Sequence, residues 1–263
     1  MNLESSRPIG RDFSLLSPGD IVYYWKNVIA NAEVNPVSYP SLQPDRREIL
    51  RYLGCQSPSP SPEMEKAVDW GMAQIAPVLQ PRTLWRPFPL SGTHAEGTEL
   101  TLEGQDITRH LAGCTQVILM AVTMGTAVER LLMRWEAQDM GKAMVLDACA
   151  SAAVEAECDR LEEELRQRYQ AQGLYLTSRF SPGYGDLPLA QQAVFCRVLD
   201  TQRRIGLTLT PTGLMVPRKS VTAVLGLSPV PRGSIVRGCN HCSMAERCAI
   251  RKGGHSCEHP QSI

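Results

Sequence analysis

The stretch Arg179-Phe180-Ser181-Pro182-Gly183-Tyr184-Gly185-Asp186 joins a short apolar segment, residues 174–177, to a helix expected to open near Leu187. Two glycines flank Tyr184, and Pro182 precedes the first of them. Glycine lets backbone approach a ligand closely, and proline fixes the direction of approach. Arg179 offers a planar fork of donors suited to a carboxylate, and Tyr184 offers a ring and a hydroxyl. A loop of this composition could seat a small zwitterion with an aromatic or cationic part. The same residues also make an ordinary strand-to-helix turn.

Working outward from the loop, residues 142–172 read as the longest helix. Its first half is small and apolar, with Ala143, Ala148, Ala150, Ser151, Ala152 and Ala153, and can lie close against a sheet. Its second half carries Asp159, Arg160, Glu162, Glu163, Glu164 and Arg166, read as a solvated face with i,i+4 pairing. On the other side of the loop, residues 187–200 read as a helix with Ala190, Val194 and Val198 inward. Residues 207–210 and 220–227 read as strands around a turn through Pro211, Gly213 and Pro217.

Farther out, residues 116–123 form a strand apolar enough to be central, and residues 99–102 a short strand. Pro87 and Pro89 assign the extended segment 83–90 to a sheet edge or bulge. Helices are expected over residues 106–111, from Gly125 with Val128, Leu131, Leu132 and Trp135 in one stripe, and from Ser61 with Met64, Val68, Met72, Ile75 and Leu79 in another. Asp45 starts a short helix through Leu53 that stops at Gly54, and a helix is expected after Asp20. His110 is expected to be a capping or surface histidine. Long helices with five or six irregularly spaced short strands, and no βαβ rhythm, give an α+β fold around a mostly antiparallel sheet.

The chain has 263 residues and a formal net charge of zero, so no broad attraction to nucleic acid is expected. The N-terminus shows no signal-peptide pattern, and the longest apolar run, 117–122, is far too short to span a bilayer, so a cytoplasmic protein with no membrane partner is expected. Of nine cysteines, Cys55, Cys114, Cys149, Cys158 and Cys196 lie singly, mostly in apolar surroundings, as buried free thiols do. An odd total argues against a disulfide framework.

In order and spacing, Arg179-x-x-x-Gly183-Tyr184, then Ile205-Gly206-Leu207-Thr208-Leu209-Thr210, Met215-x-Pro217-x-x-Ser220-Val221 and Leu227-Ser228-Pro229 resemble the reactivation domain of cobalamin-dependent methionine synthase. The helix from Met144 to Glu164 and the run Arg47-Glu48-Ile49-Leu50-Arg51-Tyr52-Leu53-Gly54 fit as well. The resemblance covers roughly residues 45–230 and is to the free-standing form, a separate activation subunit. It implies S-adenosylmethionine as ligand, held by Arg179 at the methionine carboxylate, by backbone around Ser181, Pro182 and Gly183 at the adenine and ribose, and by Tyr184 as a wall. It implies an acidic residue on the long helix, with Glu155 the nearest candidate and Ser151 the alternative. The implied partners are a corrinoid-carrying methyltransferase and an electron donor of flavodoxin or ferredoxin type. No cobalamin-binding Asp-x-His-x-x-Gly run occurs, so cobalamin is expected on the partner. The family's tyrosine after the segment matching Ser228-Pro229 is replaced here by Pro231-Arg232-Gly233.

Outside this resemblance, Cys239-x2-Cys242-x5-Cys248-x8-Cys257 has four thiolates for zinc or an iron–sulfur cluster, and His241, His255 or His259 could substitute for one. The expected layout is an N-terminal extension over 1–44, the activation-like domain over 45–232, and a Cys-rich metal-binding tail over 233–263. Two other readings compete: a metal-stabilised interaction module without catalysis, and an iron–sulfur protein that reduces a corrinoid partner.

Overall fold

The computed structural model describes residues 33–36, 42, 44–55 and 59–231. The expected helix after Asp20 and the cysteine tail lie outside them. The main sheet runs β1 (Glu33–Pro36), β2 (Arg82–Ser91), β4 (Gln116–Thr123), β8 (Ser220–Ser228) and β5 (Tyr175–Leu176), and β3 (His94–Ala95) pairs with the end of β2. Every pairing is antiparallel. A separate hairpin joins β6 (Thr208–Leu209) to β7 (Met215–Val216).

The central strand is β4, as its composition predicts. Ile118, Met120 and Val122 point into one core and Val117, Leu119 and Ala121 into another, and all six are fully buried. The first core is closed by α1 (Arg46–Tyr52), α2 (Pro62–Ile75), α4 (Thr126–Glu136) and the long α5 (Met140–Gln170). The second is closed by α3 (Gln105–Leu111), α6 (Gln192–Leu199) and α7 (Thr201–Ile205). Asp45 caps α1 and Ser61 caps α2, each accepting a first-turn N–H. The small residues of α5 allow close approach to its neighbours. At Gly71 of α2, an added Cβ would lie 2.8 Å from both Cys149 Sγ and Val145 Cγ1.

Some expectations are corrected. The segment 83–90 is an edge only in part, because β1 covers β2 from Arg82 to Trp85. Pro87 and Pro89 lie past the end of β1, where the proline's missing N–H removes no ladder bond on that side. Residues 99–102 form no strand, and only Thr101 makes a bridge, to His94. The helix after the loop begins later, because Pro188 and a 3-10 turn over Leu189–Gln191 precede α6. That turn rotates the inward face to Gln191, Gln192, Phe195 and Leu199, with Val194 and Val198 half-buried and Ala190 exposed. The second half of α5 is not simply a solvated face. Leu161, Leu165 and Tyr169 are buried there, and fully buried Glu157 is held by Arg160 at 2.7 Å. Among the described residues, no helix is long and apolar enough to cross a membrane.

Candidate functional site

Beyond β5 the chain stays extended along β8. Thr177 N–H donates to Gly226 O at 2.9 Å, and Phe180 and Val224 exchange two backbone bonds of 2.9 Å. Extended chain alternates its side chains. Phe180 therefore enters the second core, while Arg179 turns to the other side and meets α5.

There, among the described residues, Arg179 meets three carboxylates. Nη2 lies 2.7 Å from Asp159 Oδ1 and 3.2 Å from Glu155 Oε2, and Nη1 lies 3.1 Å from Glu162 Oε2. Positions 155, 159 and 162 follow helical spacing, so α5 presents them as one stripe. The Arg179 side chain is only 13% exposed. Burial works against its charge, and the adjacent Asp159 and Glu162 carboxylates more than offset this, so its pKa lies above the usual guanidinium value. Cys158 lies beside it but keeps its proton, because burial pushes its thiol pKa far up. Burial also raises the Glu155 pKa, partly countered by Arg179, with Glu48 and Arg51 of α1 close enough to act on it. Glu162 has a second cation, Arg166, at 2.8 Å, and Arg166 also reaches Leu176 O of β5 at 3.2 Å.

The loop beyond Arg179 is tied by its own backbone. Tyr184 N–H donates to Ser181 O at 3.0 Å, Gly183 N–H to Leu187 O at 2.9 Å, and Leu187 N–H to Tyr184 O at 3.1 Å. Gly183 adopts φ +88° and Gly185 φ +54°, conformations that favour glycine. At Gly185 there is also no room, since a Cβ would lie 2.7 Å from Asp106 Oδ2. Pro182 is buried, and Tyr184 is exposed with its ring edge against Phe180, the centroids 5.4 Å apart.

Helix α3 grips this loop at both ends. At the exit, Asp186 accepts the N–H groups of Gln105 at 2.6 Å and Asp106 at 3.0 Å. At the entry, His110 Nε2 lies 2.9 Å from Ser178 O and 3.0 Å from Thr177 Oγ1. The carbonyl can only accept, so Nε2 carries the hydrogen. His110 is 4% exposed, with its ring against Phe180, which corrects the expectation of a capping or surface histidine.

Arg179 and Glu155 are thus brought together, with the loop Ser181–Tyr184 immediately beyond. Ser151, the alternative acid position, instead takes a hydrogen bond from Lys219 at 2.9 Å. Sequence reasoning missed Asp159, Glu162, His110 and Asp186. The spacing of 155, 159 and 162 is the signal that would have found the first two. A groove of about 400 Å³ on α6 and α7, lined by Cys196, Thr201, Leu207 and others, contains none of the expected site residues. The proposed ligands Cys239, Cys242, Cys248 and Cys257 lie outside the described residues. Within the described residues, no group of three or more His, Cys, Asp or Glu side chains is arranged to hold a metal ion.

Residues 105–233 match the family described as vitamin B12 dependent methionine synthase, activation domain. No curated protein sequence matches the chain. Among solved structures, the crystal structure of the MetH reactivation domain bound to AdoHcy is similar in fold. Its TM-score is 0.55 at 18% identity, and the match covers 86% of each chain. The matched segment runs from α3 through β8 and contains Glu155, Arg179 and the glycine loop. The similarity to the vitamin B12 dependent methionine synthase activation domain family thus falls on the segment that carries the candidate site.

Proposed function

We propose that this chain binds S-adenosylmethionine at the Arg179 loop and, as a separate activation subunit, supports reductive remethylation of an oxidised corrinoid on a partner methyltransferase. The observation that carries this is the meeting of Arg179 with the acidic stripe of α5 beside the loop Ser181–Tyr184. Glu155, Asp159 and Glu162 face Arg179, and among the described residues only Glu162 has a second ion-pair partner, Arg166, so the site keeps surplus negative charge. That surplus fits a ligand with an ammonium and a sulfonium, and the guanidinium fits its carboxylate. In this reading Arg179 takes the methionine carboxylate and Glu155 the ammonium. Backbone at Ser181, Pro182 and Gly183 lies along the adenine and ribose, and Tyr184 closes one side. The partner's corrinoid, reduced by one electron from a flavodoxin- or ferredoxin-type donor, would accept the sulfonium methyl, with S-adenosylhomocysteine as the leaving product. This chain's part is to bind and aim the methyl donor.

The domain proper is assigned to 45–232, between an N-terminal extension and a tail whose four cysteines are assigned to zinc or an iron–sulfur cluster. Stoichiometric zinc in colourless purified protein would eliminate the cluster. The second reading, an interaction module without cofactor, is favoured by the full engagement of Arg179 with its own carboxylates and by Pro231 near the position of the family's tyrosine. Calorimetric titration separates the two. The wild-type chain should bind S-adenosylmethionine and Arg179→Ala should not. Labelled methyl should then appear in methylcobalamin when a cobalamin protein and reductant are added. No binding by the wild type at millimolar ligand would overturn the proposal.

A further inference from the structure

We infer that Asp159 sets the affinity of this site by standing, in the ligand-free state, on the part of the Arg179 guanidinium that the ligand's carboxylate takes over. The inference rests on the cofactor reading above and adds a residue to it.

The three carboxylates around Arg179 are not equivalent. Glu162 is 14% exposed and is shared with Arg166, so it is fixed in place and would be costly to strand. Glu155 is 38% exposed and is the more distant Nη2 partner at 3.2 Å. Asp159 is 71% exposed, approaches Nη2 to 2.7 Å, and has Arg179 as its only ion-pair partner among the described residues. A carboxylate arriving from solvent therefore meets Asp159 first. Asp159, once displaced, passes into water with its charge solvated. Displacing Glu162 would instead leave a buried carboxylate with one cation fewer.

The exchange is carboxylate for carboxylate on one guanidinium. Asp159 thus competes with the ligand, and its removal should tighten binding by the worth of an exposed ion pair, about two- to fivefold. Simple charge attraction gives the opposite sign, because S-adenosylmethionine is a net cation and removing an anion would weaken its binding. The sign of the change therefore tests the inference.

The experiment is calorimetric titration of the full wild-type chain and Asp159→Asn with S-adenosylmethionine and with decarboxylated S-adenosylmethionine. Asp159→Asn should lower the Kd for the first about two- to fivefold and leave the second unchanged or weaker, since that ligand has no carboxylate for Arg179. If the wild type binds S-adenosylmethionine and Asp159→Asn binds it equally or less well, the inference fails and the cofactor reading stands. A gain of the same size for both ligands also refutes it. If neither chain binds either ligand, the cofactor reading and this inference fall together.

Discussion

Replacing Arg179 by alanine leaves three carboxylates of α5 facing the loop without the cation that gathers them. The Arg179–Glu162 pair has side chains 13% and 14% exposed, and breaking so buried a pair costs roughly 3 kcal/mol. The cost sits at the low end of the usual range because Glu162 keeps Arg166. Glu155 and Asp159, 38% and 71% exposed, add about 0–1 kcal/mol each. The sum is about 3–5 kcal/mol, or on the order of 10 °C in Tm for a domain of this size. The loss should depend on pH. Burial already holds the folded-state pKa of Glu155 above the ordinary carboxylate value, and Arg179 is the charge that pulls it back. In the variant it rises further. A carboxyl with a raised folded pKa contributes stability that is fully present below its unfolded value and lost as pH rises through the folded one. The deficit of the variant is therefore largest at neutral pH and shrinks toward pH 4.5. Urea denaturation of both chains at pH 7.5 and 4.5, compared through the midpoint at unchanged slope, measures it. A neutral-pH loss under about 1 kcal/mol, or a loss that grows on acidification, would refute the reasoning.

Other substitutions probe the scaffold of the loop. His110→Ala removes the donor to Ser178 O and should cost about 1–3 kcal/mol, with faster amide exchange across residues 178–185 as the mark of a freed entry. Asp186→Ala strips the acceptor from two N–H groups that open α3, worth about 1 kcal/mol by thermal melting. Gly226→Ala places a Cβ 2.5 Å from Cys114 Sγ and 3.0 Å from Leu111 Cδ2, and should destabilise by about 1–3 kcal/mol. Adding Cys114→Ala should recover part of that loss in a double-mutant cycle. The Cys149 thiol, pushed up to about 12 by burial, should resist iodoacetamide at pH 8 in the folded chain and react after unfolding in urea.

Much of the fold is legible because long amphipathic elements announce themselves. The strand β4 is apolar on both faces, and only a central position buries both. The helices α1 and α2 begin at a capping Asp45 and a Ser61-Pro62 start that need no tertiary context. What stayed hidden is set by contact rather than by pattern. The two-residue strands β3 and β7 are too short to show alternation. In α5 the charges masked a buried stripe of Leu161, Leu165 and Tyr169 at four-residue spacing. His110 shares a face with Ile107 and Leu111, a spacing that places it inward, yet its polarity argued for the surface. Of the candidate site, the loop is expected from its own residues and Glu155 from the family resemblance. The union of Arg179 with Asp159 and Glu162 is not, because it joins segments 17 and 20 residues apart only after β5 docks on β8.

Phe180 lies four positions after Leu176, while their partners Leu227 and Val224 are only three apart, so the chain carries one extra residue where it runs along β8. That bulge lets Leu176 face the first core and Phe180 the second. Shortening the segment by Ser178 would even out the pairing, leaving Phe180 opposite Val224 and Arg179 opposite Leu225, still on the side of α5. The extra residue thus serves the loop's anchorage rather than the direction of its arginine, since it is the Ser178 carbonyl that His110 holds.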